Sequence, residues 1–287
     1  MTSETTAVKK RSLLGKLFNI AMVSGVVLIV GALIAHMAWK YSGSNQWELE
    51  LDKNGVKVYS LKSPGSTLKK FKMTTRVKTT LNRAVAALSD HSLENCKDWI
   101  PGCASSTSIE PWNPQGLYSI NAYRVELPFP FSPRDLVLKD QYSQDPQSKA
   151  VTVHVMAIPN VLAENDCCVR VRHMHNVWHW TPLKDGEVEL EIVSDLDTRL
   201  PYIMANGRVD NLYRFGSRMQ TLLDKEQYQS QKFDFIKEPS TATGASEHTH
   251  AKSSEQSSLE HKLEKTGGRN RLAAAMAGVF NLQSEGA

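Results

Sequence analysis

His173, His175 and His179 share one parity of a strand-like run, and His154 stands on another run. Imidazoles two residues apart on one strand face can hold zinc. No Cys, Asp or Glu of fixed spacing completes such a set, so no metal site is assigned. His154 and His173 are read as polar contacts inside or at the rim of a binding space, and His179 as surface. Asp195 and Asp197, next-but-one neighbours at a strand end, are read as capping or orienting groups. Cys96 and Cys103 flank the end of a short helix pair, and Cys167-Cys168 is vicinal. Four cysteines allow three pairings. A Cys96–Cys103 disulfide suits an extracytoplasmic domain, and buried free thiols stay equally open. No Gly-rich phosphate loop, nucleophile elbow or recognisable Ser/His/Asp order is present. No catalytic residue and no cofactor are assigned.

The elements that would position these groups follow from periodicity. Trp47 to Leu51 alternates apolar and charged residues, as a half-buried strand does. Asn54-Gly55 marks a hairpin turn, and Val56 to Ser60 returns as its second strand. Lys70 to Val77 alternates again, with Phe71, Met73, Thr75 and Val77 on one side. That pattern is an antiparallel sheet with one solvated face. The period then changes: Leu81, Ala84, Val85 and Leu88 form one helical face, with Thr79 or Thr80 as cap. A second short helix over 92–99 stops at Pro101-Gly102, and Trp99 packs the pair against the sheet. Further strands are read over 107–110, 117–127, 135–143, 150–158, 168–181 and 186–195, separated by Pro/Gly/Asn/Asp turns. Leu200-Pro201 opens a long last helix to about residue 229. Its stripe is Ala205, Val209, Leu212, Gly216, Met219 and Leu223.

The chain has 287 residues, with 41% hydrophobic and 22% charged. That suits one globular domain with extra segments. A net charge of +4 lacks the basic face of a nucleic-acid binder. Leu17 to Trp39 carries no Asp, Glu, Lys or Arg and is long enough to span a bilayer. The run exceeds a signal-peptide core, and His36 and Ala38 make a poor cleavage site, so an uncleaved single-pass anchor is read. Lys9, Lys10, Arg11 and Lys16 precede it with Glu4 alone opposing, which predicts a cytoplasmic N-terminus and a periplasmic domain. The expected division is therefore 1–16 cytoplasmic, 17–39 transmembrane, 41–46 polar linker, 47–230 binding domain and 237–287 low-complexity disordered tail. Residues 271–282 are a candidate short amphipathic helix in that tail.

Residues 47–223 resemble a START (steroidogenic-acute-regulatory-related lipid-transfer) domain, of the bacterial type with an N-terminal anchor. The resemblance rests on Asn54-Gly55-Val56-Lys57-Val58-Tyr59, on Asp98-Trp99, on Ser132-Pro133-Arg134-Asp135-Leu136-Val137, and on the passage from Asp195 through Leu200-Pro201 to Asn206. It implies an α+β helix-grip fold, a curved antiparallel sheet around a long C-terminal helix with an apolar tunnel between. It also implies non-covalent binding of a lipid or sterol. The helix that usually precedes the first hairpin is missing or reduced to the linker 41–46, because the membrane segment comes so soon. Glu126 matches an acidic tunnel residue of some sterol-binding members, but the arginine that accompanies it falls near Lys139-Asp140, so that pair is not carried over.

The expected ligand-binding residues of tunnel and lid are Tyr123, Met156, His173, Val188, Leu190, Ile192, Ala205, Val209, Leu212 and Gly216. The small residues among them would leave space for a ligand. Phe129 and Phe131, in the loop 128–133, are expected as a gate that dips into a membrane. The expected function is binding and transfer of one lipid, sterol or similar apolar molecule by a membrane-anchored, non-enzymatic protein. The expected partners are that ligand and the membrane, with no nucleic acid. Two alternatives stand beside it: a helix-grip enzyme of cyclase or hydrolase type, which would show a titratable cluster such as His154, His173 and Asp140 deep in the tunnel, and an interaction module with a filled core.

Overall fold

The computed structural model describes residues 4–239, with side chains from residue 15 onward. The expected tail beyond that range, its helix over 271–282 and the side chains of Lys9, Lys10 and Arg11 lie outside the described residues.

The chain begins with α1 (Glu4–Tyr41). Its segment Gly15–Tyr41 is long and apolar enough to cross a bilayer, with a mean hydropathy of 2.5. Ten strands then form one sheet: β1 (Trp47–Lys53), β2 (Val56–Lys62), β3 (Lys69–Lys78), β4 (Cys103–Asn113), β5 (Tyr118–Val125), β6 (Arg134–Gln144), β7 (Val151–Ala157), β8 (Val169–Arg170), β9 (His173–Pro182) and β10 (Glu187–Asp197). The order across the sheet is β1-β2-β3-β10-β9-β7-β6-β5-β4, with β8 added beside β6. Two helices, α2 (Leu81–Ser89) and α3 (Leu93–Trp99), join β3 to β4. After β10 come the short α4 (Tyr202–Ala205) and the long α5 (Val209–Leu223).

Local chemistry explains the strand ends. Asn54 and Gly55 both have positive φ, 51° and 77°, which a two-residue hairpin of this hand requires. Thr80 caps α2 by accepting from the Arg83 N–H, and Ser92 caps α3 through Asn95. β10 sits centrally and shows the two faces cleanly. Val188, Leu190, Ile192 and Ser194 are buried, whereas Glu189 and Glu191 point outward to Arg76 and Lys72 of β3 at 3.1 and 3.6 Å.

α5 grips the β1–β3 side of this sheet. Met219, Leu222 and Leu223 are buried under it, each contributing about 1.5–3 kcal/mol by removal from water. Gly216 lets the helix approach: a Cβ there would stand 2.8 Å from Val56 Cγ1 and 3.0 Å from Met73 Sδ. The small residue therefore serves close packing on β2 and β3 and leaves no space for a ligand.

Three sequence expectations change. The last helix is two helices. The side chain of Asn206 accepts from the Lys69 N–H and donates to the Thr67 carbonyl, both outside the helix, and the chain breaks there before α5 starts. The run read as one strand over 168–181 divides into β8, parallel to β6, and β9. The domain also continues past residue 230: Ile236 is buried, and the Glu238 carboxylate accepts from the Leu81 and Asn82 N–H groups at the start of α2.

Candidate functional site

A cavity of about 770 Å³ lies between the concave face of the sheet and the helices α2, α3 and α5. Three inward-facing strand stretches build its floor. Leu136 and Leu138 come from β6, Met174, Asn176 and Trp178 from β9, and Ile192, Ser194 and Leu196 from β10. The roof is Leu212 and Phe215 of α5 together with Trp99 and Ile100 at the end of α3. Trp99 holds the roof to the floor, with its ring 5.7 Å from those of both Trp178 and Phe215. Exposed Pro101, Asn211, Arg214 and Arg218 form part of the rim, with Thr198 and Arg208 at the end nearest α4.

One part of the wall is polar. Asp140, 5% exposed, stands on the inward side of β6, directly opposite Ser119 of β5. His91, in the turn between α2 and α3, reaches into the same place. Its Nδ1 lies 2.7 Å from the Tyr123 hydroxyl and its Nε2 3.1 Å from Ser119 Oγ. Asp140 Oδ2 is 3.5 Å from His91 Nε2. Burial pushes the Asp140 carboxyl from its ordinary 3.8 up to about 7, partly offset by the Asn121 side chain. Burial also pushes the His91 imidazole from 6.5 down to about 4, against the pull of the Asp90 charge. Tyr123 is raised, first by burial and then by Asp140 and Asp90. Near pH 7 the imidazole and the phenol are therefore neutral and the carboxyl is close to its midpoint, a set of groups suited to trading hydrogen bonds with a polar end. Trp99 Nε1, Trp178 Nε1, Asn176 Oδ1 and Arg208 Nε, all on cavity-lining residues, have no hydrogen-bond partner among the described residues.

Of the residues expected to bind a ligand, Tyr123, Ile192 and Leu212 line this cavity. Val188, Leu190 and Ala205 are buried elsewhere in the core, Val209 packs on that core, and Gly216 meets Val56 and Met73. Met156 and His173 are corrections. On β7 the buried residues are Val151, Val153 and Val155, so Met156 projects from the outer face. His173 lies on the outer face as well, with its Nε2 3.0 Å from Asp195 Oδ1. His154 is there too, stacked on His175 with Nδ1 and Nε2 at 3.2 Å, and His179 bonds Thr152. No titratable cluster of His154, His173 and Asp140 exists; His91 and Tyr123 take the histidines' place. Phe129 is 97% exposed and Phe131 half-buried in their loop. Cys96 and Cys103 are joined, with Cα atoms 6.0 Å apart, and so are Cys167 and Cys168.

Sequence reasoning named Tyr123 and Asp140 but missed His91 and Ser119, which join them in one wall. Asp140 carried a signal: Leu136, Leu138 and Tyr142 share its strand parity, so a lone acid interrupts an apolar face. His91 carried none, because it lies in a turn.

No family model matches the chain. An uncharacterised protein of Pseudomonas aeruginosa is 25% identical over 168 residues, 58% of this chain and 80% of that protein. Among solved structures, the chain is similar to a STAR-related lipid transfer protein from Xanthomonas axonopodis at 24% identity and TM-score 0.56, covering 62% of this chain and 99% of that one. It is similar to human StAR-related lipid transfer protein 5 at 17% identity and TM-score 0.51, covering 70% and 97%. Human STARD10 shares 13% identity at TM-score 0.55, covering 67% and 78%. The fold is the START-type helix grip.

Proposed function

We propose that this chain is a single-pass, membrane-anchored carrier that takes one lipid, sterol or similar apolar molecule into its cavity and hands it on without chemical change. The cavity carries the reading. It has room for one such molecule between an apolar floor and roof. Burying a few hundred Å² of apolar ligand at ~25 cal/mol per Å² gives several kcal/mol of binding. The likeness to proteins called lipid transfer proteins supports the same reading. The polar wall at Asp140, His91 and Tyr123 adds selectivity: the ligand has an apolar body and one hydrogen-bonding end.

In this reading residues 1–16 are cytoplasmic, 17–39 span the membrane, and the binding domain lies on the other, periplasmic, side. Exposed Phe129, with Phe131 beside it, opens the cavity when the loop meets a bilayer. Saturable binding of a fluorescent lipid or sterol at one equivalent per chain is the expected result. Absence of saturable binding, together with no apolar molecule on the purified protein, overturns it. A reporter fused after Leu223 that works only in the cytoplasm overturns the topology.

A second reading, chemistry on the bound molecule, has one observation in its favour: three titratable groups meet in a buried wall. Turnover of a bound ligand that H91A abolishes would establish it. A filled-core interaction module is opposed by the cavity itself.

A further inference from the structure

The join between α1 and the domain is built as a fixed contact. The Trp39 indole donates to the Thr67 carbonyl at 3.0 Å, and the Asn206 amide at the end of α4 donates to that same carbonyl at 3.0 Å. The Tyr202 ring, which starts α4, stacks on the Trp39 ring at 6.1 Å and 15° and lies 5.8 Å from His36. The Lys62 ammonium, on a residue 8% exposed, stands within hydrogen-bond distance of the carbonyls of Lys40, Ser42, Ser63 and Ser66, which share its three N–H donors. The Gly65 N–H donates to the Lys40 carbonyl at 2.8 Å. The end of α1 is thus tied to the β2–β3 connection and to α4, and the stretch 41–46 is no free swivel.

On this fixed end, α4 exposes apolar surface. Ile203 is 76% exposed and Met204 49%. Thr198 and Arg208, on either side of α4, line the cavity. The Arg134 guanidinium donates to the carbonyls of Ser132, Thr198 and Arg199, which ties the loop bearing Phe129 to the same passage.

We propose that α4 lies in the interfacial layer of the same bilayer that α1 crosses, through Ile203 and Met204, so that the cavity takes up and releases its ligand at the membrane holding its own anchor. The inference rests on α1 being a membrane span. Distances decide the rest. A tryptophan at the end of a span sits at headgroup level. The interfacial layer is roughly 5–7 Å deep on each side of the hydrocarbon, and α4 begins one ring contact from Trp39. A helix fixed that close to the span places its exposed Ile and Met in that layer, where burial is favourable.

The test uses the full chain in liposomes of phosphatidylcholine and phosphatidylglycerol, with an environment-sensitive fluorophore on one introduced cysteine at a time. The positions are Ile203→Cys, Met204→Cys, Gln147→Cys at the far β6–β7 turn, and Val27→Cys inside α1. Nitroxide-bearing lipids report depth. The expected result is quenching by shallow nitroxides severalfold stronger at 203 and 204 than at 147, with blue-shifted emission, and quenching by deep nitroxides at 27. Quenching at 27 with positions 203 and 204 no different from 147 overturns the docking and leaves the anchor standing. No quenching at 27 overturns the anchor, and the docking with it.

Discussion

Asp140 Oδ2 and His91 Nε2 face each other at 3.5 Å in the cavity wall, and burial moves both groups toward their uncharged forms. An acid and a base this close would ordinarily exchange a proton and form an ion pair. Here removal from water opposes both charges, and of the Tyr123 and Ser119 hydroxyls one donates to the neutral imidazole and the other accepts from it.

That pair makes stability depend on pH in a defined window. Below about pH 4, Asp140 is protonated in both folded and unfolded chains and contributes no difference. Between about pH 4 and 7 the unfolded chain releases the proton while the folded chain keeps it, so the residue lowers stability as pH rises, and the loss levels off above about 7. D140N removes this slope. The variant is expected to be more stable than the parent by up to roughly 4 kcal/mol at pH 8 and little different at pH 4, read from denaturant unfolding at both pH values. His91 works in the opposite direction between 6.5 and about 4, where its stabilising contribution is lost as pH falls. It remains in both proteins, so the comparison isolates Asp140.

Tyr123→Phe tests the polar wall. It deletes one hydroxyl and keeps the ring. Binding of an apolar probe with a hydroxyl end should weaken about tenfold, the worth of one hydrogen bond in a buried site. A probe without that end should bind as before. Equal effects on both probes would remove the wall from ligand recognition.

Gly216→Ala tests the seat of α5. Alanine favours helix by ~1 kcal/mol over glycine. The new Cβ would nevertheless press on Val56 and Met73, and overpacking of this kind costs about 1–3 kcal/mol. The net change should be destabilising, with Gly216→Val clearly worse, as read from the midpoint of thermal unfolding.

Lys62→Ala tests the anchor joint. Four backbone carbonyls lose the ammonium whose three N–H groups they share. Cleavage by a broad-specificity protease between Tyr41 and Trp47 should accelerate severalfold, while the rest of the domain resists as before.

The fold was legible wherever local chemistry and tertiary structure agree. The Asn54-Gly55 turn, the alternation of β10 and the apolar stripe of α5 read directly from residue types and spacing, and the α2 cap reads as Thr79 or Thr80, of which Thr80 takes the place. Face assignment failed where chemistry was weighed above parity. On β9, Met174, Asn176 and Trp178 face inward, and the neighbouring tryptophan Trp180 is fully buried. The parity of the two tryptophans therefore puts His173 outside, on the same face as His175 and as His179, which is expected at the surface. Met156 is expected in the tunnel, yet Val151, Val153 and Val155 fix the buried parity of β7 and leave it outside. The break between α4 and α5 was not legible, because the side chain of Asn206 is held by Thr67 and Lys69, far away in sequence. His91 was hidden for the same reason: its partners Ser119 and Tyr123 come from a distant strand.

The central claim is that the cavity carries an apolar ligand, and Leu212→Trp against the parent tests it most directly. Leu212 projects from α5 into the cavity, so the larger ring occupies ligand space. Full-length parent and variant are purified side by side from the cells that make the protein, and their extracts are compared by mass spectrometry. One lipid or sterol class is expected near one equivalent on the parent and strongly depleted on a variant that still unfolds cooperatively. A parent free of any apolar molecule, or equal loading of both proteins, would contradict the account.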